Sequence, residues 1–90
     1  MAHPHMRLLL YALVKGLGDS VRRNDGSAAE RYRRRLRLVA EQFDANPPIR
    51  DALEKLLSVS GLWLATNMVE RDETKEQMLE LIGRFMELLV

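Results

Sequence analysis

Five arginines occupy seven consecutive positions of the chain, in the segment RYRRRLR at residues 31–37. Guanidinium groups form paired hydrogen bonds with carboxylates and phosphates, so this segment could bind an anionic partner. That partner could be an acidic protein surface, the acidic half of a second copy of the chain, or nucleic acid. The side chains that would make such contacts are Arg31, Arg33, Arg34, Arg35 and Arg37.

The same arginines also fit the solvated side of an ordinary helix. Apolar residues recur through the segment at helical spacing, and the arginines spread around the rest of the helix instead of forming one ridge. The apolar positions are Ala29, Tyr32, Leu36, Val39 and Phe43. Glu30 with Arg34, and Arg37 with Glu41, have the four-residue spacing of helical ion pairs. We therefore favour the solvated face, followed by an acidic protein partner and then by nucleic acid.

No other group of residues predicts a chemical site. An acidic cluster lies in a turn and a first helical turn, where acids stabilise the helix dipole, and it lacks the alternating ligands and central glycine of a calcium loop. Its members are Glu70, Asp72, Glu73 and Glu76. Cysteine is absent, and His3 and His5 lie in a leader that resembles a cloning remnant. We predict no catalytic residue, no metal ligand and no cofactor, and an enzyme is the class we favour least.

Composition predicts a single all-α domain that does not enter a membrane. The chain has 90 residues, 47% of them apolar, and only three prolines and five glycines interrupt it. The longest apolar stretch, at residues 8–14, is far shorter than the ~20 residues of a membrane span. We expect residues 1–5 to be the leader, residues 6–90 to form one helical domain that could belong to a longer protein, and the location to be cytoplasmic.

Four helical segments are predicted, at about residues 6–23, 28–45, 47–64 and 74–90. Capping boxes are expected at Ser27 with Glu30 and at Thr74 with Gln77, and prolines 47 and 48 separate the second helix from the third. The SVSG stretch at residues 58–61 could interrupt the third helix, and Trp63 is expected in the core. The predicted fold is a compact bundle of three to four antiparallel helices.

Two features predict contact with another chain. Residues 1–50 carry ten basic and five acidic side chains, whereas residues 51–90 carry four basic and eight acidic ones, so two copies could attract each other. The last helix is apolar on more than one face, and its pattern continues to Val90. We expect a single copy to leave part of this surface uncovered, and a homodimer to bury it. The predicted interface residues are Leu10, Leu17, Met78, Leu81, Ile82, Phe85, Leu88 and Leu89.

Residues 8–39, LLLYALVKGLGDSVRRNDGSAAERYRRRLRLV, resemble the N-terminal helical region of some bacterial diguanylate cyclases with GGDEF domains. The likeness lies in an apolar first helix, a short polar turn and a second helix rich in leucine and arginine. It implies a dimerising regulatory module in bacterial signalling. The cyclase signature itself is absent, so the resemblance implies no cyclase activity. The alternatives are a small nucleic-acid-binding protein that uses the second helix, and an inhibitor or chaperone that binds a partner's helix.

Overall fold

The computed structural model describes residues 4–42, 47–65 and 71–90, and nearly all of them are helical. The four helices are α1 (Pro4–Arg22), α2 (Gly26–Gln42), α3 (Pro47–Ala65) and α4 (Arg71–Leu89). Each is close to its predicted segment, because the helical spacing of apolar residues is strong in all four. The predicted Phe43 at the end of α2, and the residues that connect α2 to α3, lie outside the described residues.

The helices form a four-membered antiparallel bundle. Within the described residues, α1 packs against α2 and α4, and α3 packs against the same two helices, while the diagonal pairs are farther apart. Gly26 at the start of α2 lies beside Leu64 near the end of α3. Lys75 near the start of α4 hydrogen-bonds through Nζ to the carbonyl oxygen of Arg22 at the end of α1 (3.1 Å). The predicted all-α antiparallel bundle is therefore confirmed.

One continuous apolar core runs through the bundle, and every helix contributes to it. Its largest side chain is Trp63, which is fully buried as predicted. The other large side chains without solvent exposure are Leu10, Leu17, Leu36, Leu56, Met78 and Phe85. Burying side chains of this size stabilises a fold by about 1.5–3 kcal/mol each, so this core is the main source of stability in a chain without disulfides.

The turn between α1 and α2 closes α1 with a Schellman motif. Asn24 has a positive φ of 55°, the left-handed conformation that asparagine tolerates better than most residues. Its N–H donates to the carbonyl oxygen of Val21 (3.0 Å), and the N–H of Asp25 donates to that of Ser20 (2.9 Å). These two bonds satisfy carbonyl groups that the helix end would otherwise leave without donors.

The cap of α2 differs from the predicted one. The carboxylate Oδ1 of Asp25 accepts a hydrogen bond from the N–H of Ala28 (3.1 Å), as an N-cap residue does. Ser27 lies inside the first turn of α2, so the predicted capping box of Ser27 with Glu30 is wrong. The reason is that the positive φ at Asn24 ends α1 early enough for the new helix to begin two residues sooner than expected.

Two further expectations about helix ends are corrected. The third helix is uninterrupted from Pro47 to Ala65, so the expected pause at residues 58–61 does not occur. The fourth helix already begins at Arg71, and Thr74 is a buried residue inside it instead of a cap. In both places packing against neighbouring helices outweighs the weak local preference of serine, threonine and glycine for helix ends.

Candidate interaction surfaces

Most of the predicted interface is interior. Of the eight residues expected to face a partner, six are buried in the core of a single chain: Leu10, Leu17, Met78, Ile82, Phe85 and Leu89. The expectation that one copy leaves these side chains uncovered is therefore wrong. The physical reason is that α4 lies between α1 and α3, so a helix that is apolar on two sides has a neighbour on each.

The remaining two predicted residues, Leu81 and Leu88, line an open groove between α3 and α4. The groove holds about 430 Å³, and α3 contributes Pro48 and Ala52 to it. It continues along α3 to Val59, which also lies beside Leu81. Leu88 is 41% exposed although it belongs to a helix whose inner side is fully covered. Two of the predicted interface residues, Leu81 and Leu88, thus reach solvent on the side of α4 that lies next to α3.

Charged side chains of both signs border this groove. The acids are Asp51, Glu54 and Glu87, and the bases are Lys55 and Arg84. Arg84 is held within its own helix by Glu80, with Nη2 and Oε1 2.7 Å apart. The arrangement is apolar along the floor and mixed in charge along the rim, which is the usual anatomy of a protein interface.

Leu62 extends the same surface and was not among the predicted residues. It is 55% exposed and follows Val59 by three positions and Lys55 by seven, so it continues their stripe along α3. The sequence already indicated that Leu62 is exposed. Leu62 is adjacent to Trp63 in one helix, and two adjacent helical residues cannot both point into the core of the bundle. We call Leu62, the groove and its charged rim the α3–α4 face.

The five arginines of α2 do not act as one group. Arg33 points towards α3, where its Nε donates to the carbonyl oxygen of Leu57 and to Oγ of Ser60, each at 3.2 Å. Ser60 Oγ in turn donates to the Leu57 carbonyl (2.9 Å). A Cβ atom at Gly61 would lie only 2.8 Å from Nη2 of Arg33. The SVSG stretch, which resembled a helix break, is therefore the part of α3 that Arg33 of α2 contacts.

This contact predicts a stability effect for one arginine of the five. We expect Arg33→Ala to lower the free energy of unfolding by about 1–2 kcal/mol, because two acceptors on another helix lose a half-buried charged donor. Arg33→Lys should recover less than half of the loss, since a lysine lacks the planar donor group. Urea denaturation followed by circular dichroism measures both.

Arg34→Ala is the matched control for this prediction. Arg34 is exposed, and among the described residues its Nε pairs with Oε1 of Glu30 alone (3.2 Å), as the sequence predicted. An exposed pair of this kind contributes about 0.5 kcal/mol or less. Equal losses for Arg33→Ala and Arg34→Ala would show that the contact between Arg33 and α3 adds no stability.

The other arginines remain at the surface. The predicted pair of Arg37 with Glu41 is not formed, since no ion pair joins them within the described part of the chain. Arg31 and Arg35 are exposed, and together with Tyr32 they line a separate cleft of about 180 Å³ on α2. We call these three residues the arginine cleft.

Within residues 4–42, 47–65 and 71–90, no group of three or more histidine, aspartate or glutamate side chains is placed to hold a metal ion. No helix in that part of the chain is both long and apolar enough to cross a membrane. Comparison of the sequence with models of known protein families, with curated proteins and with solved structures finds no match. The surfaces described above are therefore the basis for any functional conclusion.

Proposed function

We propose that this chain is a non-catalytic protein–protein interaction domain that forms a homodimer through its α3–α4 face. The observation that carries the proposal is the groove between α3 and α4, in which Leu81 and Leu88 reach solvent beside the fully covered inner sides of the two helices. Removing apolar side chains such as these from water is the main favourable term in most protein–protein association.

The charges of the α3–α4 face support a second copy as the occupant. A twofold-symmetric interface brings the same surface together twice, so it must be complementary to itself. A face that carries Asp51, Glu54 and Glu87 beside Lys55 and Arg84 can pair acids of one copy with bases of the other. A face with charges of one sign would instead repel its own copy.

The size of the bundle supports the same occupant. The helices α3 and α4 have 19 residues each and are therefore about 28 Å long, so the side that they form can provide an elongated contact with the same side of a second copy. Leu62 and Leu88 lie near opposite ends of this side, so the apolar contact would extend along most of its length.

A regulatory setting is the finer part of the proposal. The resemblance of residues 8–39 to the helical regions of bacterial diguanylate cyclases supports a dimerising module of cytoplasmic signalling proteins. In such a module a small change in helix packing alters the geometry of the dimer and of whatever is joined to it.

Sedimentation velocity of the Leu81→Glu, Leu88→Glu double variant tests the dimer. We expect the wild-type chain to sediment as a dimer at about 100 μM, a concentration at which moderate interfaces are occupied. The double variant should have a dissociation constant at least about tenfold higher, because two carboxylates would be placed in an apolar contact.

Leu8→Glu is the matched control, because Leu8 is 68% exposed and lies on α1, outside the α3–α4 face. It should leave the dimer unchanged. A wild-type chain that remains monomeric at this concentration contradicts the proposal, and so does a dimer that the double variant and the control weaken equally. Thermal unfolding of each variant verifies that the bundle itself is intact.

A further inference from the structure

The arginine cleft is separate from the α3–α4 face. It lies on α2, beside the contact between Tyr32 and Gly16 of α1, whereas the groove is formed by α3 and α4. Since α2 and α4 are diagonal in the bundle, a dimer formed through the α3–α4 face leaves the arginine cleft open. The cleft therefore offers a second surface with different chemistry.

The charges in the cleft are not neutralised within the described part of the chain. Arg33 is engaged by α3 and Arg34 by Glu30, but no acid lies within 4.0 Å of the guanidinium groups of Arg31 and Arg35. These two arginines are four positions apart, so they project from the same side of α2 in consecutive turns. The Tyr32 side chain lines the cleft with them.

An exposed leucine continues this side of the helix. Leu38 follows Arg35 by three positions and Arg31 by seven, and it is 59% exposed. Two arginines and one leucine thus form a stripe along nearly two turns of α2. The complementary surface is a segment with two carboxylates one helical turn apart, followed by an apolar side chain.

We propose that the arginine cleft binds an acidic amphipathic helix of another protein, through carboxylates that pair with Arg31 and Arg35. Each guanidinium can bind a carboxylate through two parallel hydrogen bonds, which fixes the position and direction of the bound helix. The apolar side chain of that helix would cover Leu38. This inference does not depend on the dimer, because the two surfaces do not share a residue.

The surface favours an acidic protein over nucleic acid. Affinity for nucleic acid arises mainly from the number of phosphates that a protein neutralises. The cleft offers two guanidinium groups that no acid of the described residues pairs with. Stacking on bases needs an exposed aromatic face, whereas Tyr32 is half-buried against Gly16. The second half of the chain is also acidic. Because the bundle is only 20 Å wide, these acidic side chains would repel the phosphates of a long nucleic acid bound at the cleft.

Fluorescence anisotropy with a labelled acidic helical peptide tests the proposal on the intact chain. The peptide carries glutamates at four-residue spacing and leucines on the adjoining side, and a second peptide has glutamine in place of every glutamate. We expect the acidic peptide to bind the wild-type chain. Binding should weaken about three- to tenfold in the Arg31→Gln, Arg35→Gln double variant, as expected for the loss of two exposed charge pairs.

The Arg34→Gln, Arg37→Gln double variant is the matched control. It removes the same charge from the same helix but leaves the arginine cleft intact, so it should change the affinity by less than about twofold. All four positions are exposed, and both double variants should keep the helix content and melting temperature of the wild-type chain.

Several outcomes would overturn the proposal. Failure of the wild-type chain to bind the acidic peptide, equal binding of the glutamine peptide, or equal losses in the two double variants would each do so. Tighter binding of a short single-stranded DNA, lost in the Arg31→Gln, Arg35→Gln variant, would assign the cleft to nucleic acid. A change of oligomeric state in that variant would assign the cleft to a second copy of the chain.

Discussion

Replacing Phe85 with alanine is expected to lower the free energy of unfolding by about 3–5 kcal/mol, enough to unfold a large share of a small domain at physiological temperature. Phe85 has no exposed surface and belongs to the core that all four helices share. Removing its ring loses the free energy of burial and leaves a cavity that the bundle can only partly close. Urea denaturation at two protein concentrations measures the effect.

The concentration dependence separates the two possible positions of Phe85. A residue buried within one chain gives the same loss at every concentration, whereas an interface residue gives a loss that grows with the population of dimer. Leu88→Ala is the control on the same helix, one turn further on and 41% exposed. We expect Leu88→Ala to cost less than about 1 kcal/mol in the monomer. A small loss for Phe85→Ala that appears only at high concentration would contradict the observed core.

The helices and much of the core were predictable because both depend on local patterns. Apolar residues at spacings of three and four place one side of each helix in the core, whatever its neighbours are. Leu36 and Trp63 are fully buried for this reason. The number of neighbours of a helix is not local information. The second apolar side of α4, which carries Leu79 and Met86, therefore resembled a free surface, although both side chains pack against the core.

The different contacts that the arginines make could not be predicted for a related reason. A helical wheel of α2 shows which arginines lie away from its apolar residues, but the partner of Arg33 depends on the register between α2 and α3. Ser60 and Gly61 interrupt an apolar stretch, and a small polar residue beside a glycine within a buried helix is the signal that another side chain approaches there. Glu30 with Arg34 was predictable, since both residues belong to one helix.

Gly16→Ala is expected to lower the free energy of unfolding by about 2–3 kcal/mol, the upper part of the range for overfilled contacts between packed elements. A Cβ atom at Gly16 would overlap Cε1 and Cζ of the Tyr32 ring and would lie 2.9 Å from its Cδ1. The glycine therefore lets α1 approach α2 closely, and an added methyl group must displace the ring or separate the helices. Thermal and urea denaturation measure the loss.

Two comparisons isolate the contact from the general effect of glycine in a helix. Gly83 is exposed on α4 with no atom within 4 Å of a Cβ built there, so Gly83→Ala should raise stability by about 0.5–1 kcal/mol through helix propensity alone. In a Tyr32→Ala background the obstacle is gone, and Gly16→Ala should change sign and become stabilising by a similar amount. A loss that persists in that background would place the obstacle elsewhere. Since Tyr32 also lines the arginine cleft, the same double-mutant cycle shows how much of the loss comes from displacing a side chain of that cleft.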